Sequence, residues 1–398
     1  MSRSVIVVGA GLVGLASAWL LQRHGHAVLL LDSPGAGPAS PSLPPPANQL
    51  APAAARAEDG TSPHLSIRSG SAAALGLLMA QISQRDSGRA WRLRQRSLLL
   101  WREWRQELLQ RGQSIPWRPG LLLLAATAEE RSRQEQLARE RQARGMALEF
   151  WDANRLRRLV PEPPGAALGA IHSPEDGQLD PGQAMAALRA DGLAAGLRCC
   201  PSRVQELRAA AQGDGGRWRL RLEDGQRLES DWLVLAAGVA SAELLHPLGL
   251  ERPLQPLLGQ ALELELPEAV VWQDWPGVVS WKGLHIVPRP DRDGGRRLWL
   301  GATVEPGTEP AAAALAQLRH LAGDAPAWLA QASLRQHWVG VRARPRDRPA
   351  PLLEQPRPGL LLATGHNRNG VLLAPVSAEW VLSQVEEWVA PPGWAPAR

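Results

Sequence analysis

Residues 4–32 read SVIVVGAGLVGLASAWLLQRHGHAVLLLD. SVIVV is β-rich and wholly apolar, the pattern of a strand buried on both faces in a parallel sheet. Leu12 to His24 has helical character, with Gly25 placed to end it, and AVLLLD is a second buried strand closing on Asp32. Between the first strand and the helix lies GAGLVG. Gly9 permits a tight turn, Gly11 lets a pyrophosphate approach the backbone, and Gly14 lets helix and strand pack closely. The helix N-terminus adds free amides and partial positive charge. Asp32 stands at the end of the second strand, where a ribose hydroxyl needs an acceptor. Strand, glycine turn, helix, strand and acid together predict a dinucleotide-binding unit.

The second strand is not followed by a further strand–helix unit, as in an ordinary nicotinamide enzyme. SPGAGPASPSLPPPANQLAP (33–52) is a proline- and glycine-rich loop instead. Helical inserts come next, with residues 71–112 read as mostly helical and Ser97, Leu100, Trp101, Trp104 and Leu108 as their apolar stripe. This order argues for a flavoprotein. DWLVLAAG, ending at Gly238, is a late strand that returns the chain to the nucleotide unit. Strands are expected in GLLLLAAT, in the hairpin around Asp224-Gly225, and across 255–305; a final helix is expected from Ala374 to Glu387.

Composition narrows the classes. The chain has 398 residues, enough for two units and a substantial core, and 44% hydrophobic with 21% charged residues suits a globular protein. The net charge of +5 comes from arginines interleaved with acids, Lys282 being the only lysine, and no nucleic-acid-binding module accompanies them. Tyrosine is absent, so no mechanism can use it, and the 17 tryptophans are read mainly as structural. Cys199 and Cys200, adjacent and placed at the end of an expected helix, make neither a zinc site nor a disulfide framework. A reducing, cytoplasmic setting fits. No apolar run reaches 18 residues, so no transmembrane helix is expected, and the apolar N-terminus is explained by its glycines rather than as a leader.

Near the other end, ATGHNRNGVLLAP (363–375) crowds two glycines, His366, Arg368 and Asn369 against an apolar run. This stretch, with ANQLAP, DGQLDPGQAMAALR, DWLVLAAGVAS, IVPRP, LWLGATVEPG and HWVGVRARPRD, resembles the FAD-dependent amine and D-amino-acid oxidases. Within them it is most similar to the glycine oxidases associated with thiamine biosynthesis. The resemblance spans nearly the whole chain. It implies an α/β (α+β) fold: an FAD-binding Rossmann-like domain of the glutathione-reductase/D-amino-acid-oxidase type, discontinuous over residues 1–85, 165–250 and 335–398. A mixed-sheet substrate domain would come from 86–164 and 251–334.

The resemblance also implies roles. Gly9, Gly11, Leu12, Val13, Gly14, Asp32 and Ser33 would hold the ADP half of FAD, with the backbone of Val204 at the adenine. Ala47, Asn48 and Gln49 fall near the flavin ring, where the family has smaller residues. Gly238, Gly365, His366, Arg368, Asn369, Gly370, Val371 and Leu372 would complete the flavin contacts. Gly365 and Gly370 would let backbone amides approach the ring, with Leu372 and Leu373 as a dry wall. Arg342 would clamp the substrate carboxylate through its planar fork, with Arg344 the alternative, Arg368 a second contact, and His285 in place of a family tyrosine. No protein base is implied, and His366 is expected to act through its backbone. The expected reaction oxidises a small amino acid, glycine first, to its imine, with oxygen reduced to hydrogen peroxide. Alternatives are a D-amino-acid or sarcosine dehydrogenase using another acceptor, and a flavin-binding protein with a retired amine pocket. The flavin is expected to be non-covalent. The sequence leaves the oligomeric state open, a homo-oligomer included.

Overall fold

The computed structural model describes residues 2–33, 65–209 and 217–386. Ala47, Asn48 and Gln49 lie outside the described residues.

A six-stranded sheet runs in the order Leu352–Arg357, Leu360–Thr364, Trp232–Leu235, Ser4–Val8, Ala27–Leu31, Arg198–Cys200. All neighbours are parallel except the first pair. Its central strands are buried on both faces, which is why they are apolar without alternation. On one face the helices Leu12–Arg23, Pro181–Ala194 and Gly370–Glu386 share a core with Trp19, Leu21 and Val381. On the other, Val204, Trp218 and Leu220 of a three-stranded antiparallel sheet pack against Ile6, Leu233 and Leu362. Asp224 and Gly225 turn that sheet's hairpin, Gly225 at φ +84°.

An eleven-stranded mixed sheet forms the second layer system, built around the long pair Leu254–Glu265 and Ser333–Pro345. Leu262, Leu298, Trp281 and Leu318 pack on one face of it, and Val287, Trp299 and Trp338 on the other. Of the tryptophans, Trp19, Trp101, Trp218, Trp281 and Trp338 are fully buried, as a structural role requires.

Several expectations need correction. Only Gly88–Gln110 of the stretch 71–112 is helical. Gly76, at φ +81°, sits so close to the strand behind it that a Cβ there would lie 1.7 Å from the Leu179 carbonyl, and Leu77–Leu78 pair with that strand. The helix Gly88–Gln110 also packs on the nucleotide side rather than with the large sheet: the Ser97 hydroxyl donates to the Leu372 carbonyl, and the Trp101 indole to the Val371 carbonyl. Conversely the strands Gly169–Leu179 and Ser333–Pro345, expected with the nucleotide unit, belong to the large sheet. Cys199 and Cys200 lie on the edge strand Arg198–Cys200 instead of a helix end, and both are free. Gly169–Leu179 is one continuous strand, and Asp180 then caps the next helix by accepting from the Gln183 amide. The last helix begins at Gly370, four residues earlier than its sequence suggests. No helix among the described residues is long and apolar enough to cross a membrane.

Candidate active site

The glycine turn is compressed from both sides. Gly9 has φ +104°, and a Cβ there would meet the Ala236 carbonyl oxygen at 2.6 Å; a Cβ on Gly14 would lie 1.8 Å from the Gly9 oxygen. Gly11 starts the helix without a side-chain cap. The Leu12 amide is taken by the Ser71 hydroxyl at 2.9 Å, which leaves the rest of the first turn for an anion. Asp32 follows the second strand, its Oδ1 accepting from the Ser33 amide at 3.0 Å. Burial raises its pKa above the usual carboxylate value, partly offset by the amides of Ser33 and Ala10. A tight turn, an uncapped helix start and a carboxylate one strand away fit the two phosphates and the ribose of a dinucleotide.

From this turn a cavity of about 220 Å³ runs to the large sheet. Gly11, Val13 and Gly238 line one end, and Gly365, His366, Arg368, Gly370 and Val371 form a side. His285 and Arg342 close the other end. Val204 is buried in the small three-stranded sheet, away from this cavity. Gly9, Leu12, Gly14, Asp32, Ser33 and Asn369 flank it without lining it. Leu372 and Leu373 are buried in helix packing and do not form its dry wall. Because the helix starts at Gly370, those two side chains turn inward, and Val371, Leu75, Leu77 and Val304 supply the apolar lining. The two glycines also differ: Gly365 has φ +67° with Pro345 2.8 Å from its would-be Cβ, whereas Gly370 is ordinary helix with an uncrowded Cβ position.

Arg342 reaches the cavity from the strand Ser333–Pro345, while Arg344, two residues on, is exposed and does not line it. Arg342 Nη1 donates to the carbonyls of Leu258 at 3.2 Å and Thr303 at 3.0 Å. Burial, with Arg368 nearby, lowers its pKa to about 10. It remains a cation. No Asp or Glu lines the cavity among the described residues, so Arg342 and Arg368 are its only formal charges. His285 shares a 2.7 Å hydrogen bond with the Ser280 hydroxyl through Nδ1, and burial together with the two arginines brings its pKa to about 4. His366 is buried, its Nε2 2.8 Å from the Ser377 hydroxyl, which itself donates to the Leu373 carbonyl. Its pKa falls to about 3 through burial, with Arg89 adding to the effect. Both rings are neutral at physiological pH.

Sequence reading missed Ser71, hidden in a small-residue run taken for helix, and Gly259, whose would-be Cβ overlaps the Arg342 guanidinium. It also missed the buried Gln260, Thr303 and Glu305 behind Arg342. GATVE was the available signal for the last two.

A dinucleotide turn opening onto a cationic pocket under a mixed sheet defines a flavoprotein oxidoreductase. A family model described as FAD dependent oxidoreductase matches residues 61–384, and one described as an NAD(P)-binding Rossmann-like domain matches 7–50. The chain belongs to the FAD-dependent oxidoreductase family, and FAD is its cofactor. It is 27% identical over 390 residues to glycine oxidase of Geobacillus kaustophilus, covering 96% of this chain and 92% of that protein. It is 28% identical over 419 residues to D-amino acid dehydrogenase 2 of Pseudomonas aeruginosa, covering 97% and 95%. The crystal structure of glycine oxidase from Geobacillus kaustophilus matches with a TM-score of 0.80 at 25% identity, over 100% of this chain and 99% of that one.

Proposed function

We propose that the protein oxidises a small amino acid, glycine first, to its imine, with oxygen as the final electron acceptor. The observation that carries this reading is a cavity joining the glycine turn to two arginines, with no acid lining it among the described residues. A carboxylate entering it meets two cations in a partly dry site, where charge-assisted bonds are strong.

Gly9, Gly11, Val13, Gly14 and Asp32 would hold the nucleotide half of FAD, and Gly238, Gly365, His366 and Val371 would face its ring. When bound, FAD supplies the two-electron acceptor for the hydride of the amine-bearing carbon. Arg342 takes the substrate carboxylate and so fixes the direction in which that carbon faces, with Arg368 as a second contact. The backbone carbonyls of Leu258 and Thr303 keep the guanidinium in place from behind. Val371, Leu75 and Val304 exclude water. With pKa values of about 4 and 3, His285 and His366 are too weak as bases to keep a proton from the substrate ammonium group, so the substrate amine loses its proton to solvent before reaction. His285 offers Nε2 to the substrate while Ser280 holds Nδ1. The imine is the kind of product that the resemblance links to thiazole formation in thiamine biosynthesis. Two free cysteines favour a reducing cytoplasmic setting.

The test is a visible spectrum of the purified yellow protein, taken without oxygen before and after glycine, followed by oxygen uptake. Bleaching and peroxide formation are expected. A spectrum unchanged by glycine, sarcosine and D-amino acids alike would overturn the reading. Arg342→Ala is expected to keep its flavin and lose about 2–5 kcal/mol of carboxylate binding. A second reading is favoured by the D-amino acid dehydrogenase relative: the same oxidation with electrons passed to an acceptor other than oxygen. Bleaching by a D-amino acid, with negligible oxygen uptake, would select it.

A further inference from the structure

Behind the candidate clamp lies a buried polar cluster with no exit to the cavity. The segment after the strand Arg297–Gly301 alternates: Ala302 and Val304 line the cavity, and Thr303 and Glu305 face away from it, each 8% exposed. Glu305 is a buried carboxyl group held by several hydrogen-bond partners. Its Oε1 takes the Thr303 hydroxyl, its Oε2 accepts the Ala311 amide at 2.7 Å, and both oxygens accept from Gln260 Nε2 at 3.1 and 3.2 Å. Thr303 is gripped again by Gln260, whose amide donates to the Thr303 hydroxyl at 2.8 Å. Gln260 is locked in turn, its Nε2 also donating to the Ala311 carbonyl and its Oε1 accepting from His337 Nε2 at 2.9 Å.

The free end of this cluster is the Thr303 carbonyl, which accepts from Arg342 Nη1 at 3.0 Å. The other carbonyl on Arg342 belongs to Leu258, and Leu258 is the residue that pairs with Glu305 across the sheet. Both anchors of the guanidinium are therefore tied to Glu305. The carboxylate is also the one acidic group whose charge supports the cationic form of Arg342, against burial and Arg368. A buried carboxylate costs several kcal/mol unless it is paired, and here the bonds from Thr303, Gln260 and Ala311 offset that cost directly behind the half-buried Arg342.

We infer that Glu305 is a positioning residue for substrate binding: through Thr303 it orients Arg342, and its charge balances the guanidinium when no substrate is present. It touches neither substrate nor cofactor. The inference rests on the reading of Arg342 as the carboxylate contact, and the test separates the two. Acetate, a carboxylate without an amine, is titrated into the yellow protein by calorimetry and by perturbation of the visible spectrum. The proteins compared are wild type, Glu305→Gln, Arg342→Ala and the double variant.

Glu305→Gln should keep its flavin and weaken acetate about tenfold or more, in the range seen when groups that orient a direct ligand contact are removed. In turnover it should raise KM for glycine with kcat changed less than twofold. In the Arg342→Ala background the same substitution should have no further effect on acetate, because Glu305 acts only through Arg342. If Arg342→Ala leaves acetate binding intact, the clamp reading itself fails. If Arg342→Ala weakens acetate and Glu305→Gln does not, or if the two effects add, the positioning role is refuted while the clamp stands. Should Glu305→Gln not fold, Thr303→Val carries the same test, since it cuts the hydroxyl link and leaves the carboxylate its bonds to Gln260 and Ala311.

Discussion

The guanidinium of Arg342 lies directly over the α-carbon of Gly259: a Cβ placed there would be 2.4 Å from Nη2 and 2.5 Å from Nη1. Gly259 pairs with Gly340 on the neighbouring strand, but the missing side chain of Gly340 makes room for Ala73, 2.2 Å from its would-be Cβ, so Gly259 alone opens the space that Arg342 fills. Gly259→Ala should therefore displace the tip of a long flexible side chain rather than the backbone. We expect flavin content to be kept and stability to change by less than about 1 kcal/mol. KM for glycine should rise, about 10–100-fold, because a small misplacement of a positioning group is costly. Steady-state kinetics with a parallel thermal melt checks this; an unaltered KM would mean that Arg342 does not hold the substrate.

Gly14 predicts the opposite kind of failure. Its would-be Cβ is 1.8 Å from a backbone oxygen, that of Gly9, and 3.3 Å from the Ala236 side chain. Nothing there can swing aside, so Gly14→Ala must push the first helix off the sheet. The expected cost is about 1–3 kcal/mol of stability, as for overpacked cores. The flavin should be lost as well, since the same turn presents the amides. Absorbance near the flavin bands after gel filtration reads out the loss directly. A yellow, fully stable Gly14→Ala protein would remove the turn from the cofactor site.

The contrast between Gly14 and Gly259 shows what the sequence could disclose. Gly14 was legible because its neighbours in the chain, strand, helix and Asp32, all specify one local geometry. Gly259 gave no signal, because what it avoids is Arg342, 83 residues away in the chain and adjacent only through strand pairing. Leu372 and Leu373 failed for a related reason. They follow directly on the GHNRNG loop, but a helix start at Gly370 rotates them into the packing with Ser97. The helix Gly88–Gln110, expected among the inserts of a second unit, packs on the nucleotide side because its apolar stripe meets the C-terminal helix. Patterns local in sequence were recoverable, and contacts set by the large sheet were not.

Acid should destabilise the protein through its histidines. His285, His366 and His172 are all held below their ordinary value of 6.5, to about 4, 3 and 4, mainly by burial. Below pH 6.5 the unfolded chain takes up protons that the folded chain refuses. The stability they contribute is complete above pH 6.5 and is lost as pH falls toward 4. Asp176 works against this: burial raises its pKa to about 6, so the folded state gains from its protonation in the same window. Asp32, also raised by burial, adds to that effect and His337, also lowered by burial, adds to the histidines; the histidines should outweigh the two aspartates, and the melting temperature is expected to drop between pH 6.5 and 4. His366→Gln should make that slope shallower, and a slope unaffected by the substitution would show that His366 titrates normally.

Within the pocket the same depression of His285 makes a distinct prediction about binding. Arg342 is a cation up to about pH 10, and the histidine beside it stays neutral down to about pH 4. No acid lines the cavity among the described residues, and neither Arg342 nor His285 changes charge between those limits. Acetate, itself ionised above pH 5.5, should therefore bind with an affinity constant to within about twofold from pH 5.5 to 8, a span in which an ordinary histidine would lose its proton. Glycine turnover over the same range should still rise with pH, because the substrate amine must be neutral and no cavity side chain takes its proton. Acetate affinity falling tenfold through pH 6.5 would mean that His285 carries a proton in the free enzyme and supplies a third positive charge to the carboxylate. His285→Asn, which keeps a hydrogen-bonding group but cannot titrate, would then abolish that fall; if the affinity is flat in both proteins, the neutral ring is the form that meets the substrate.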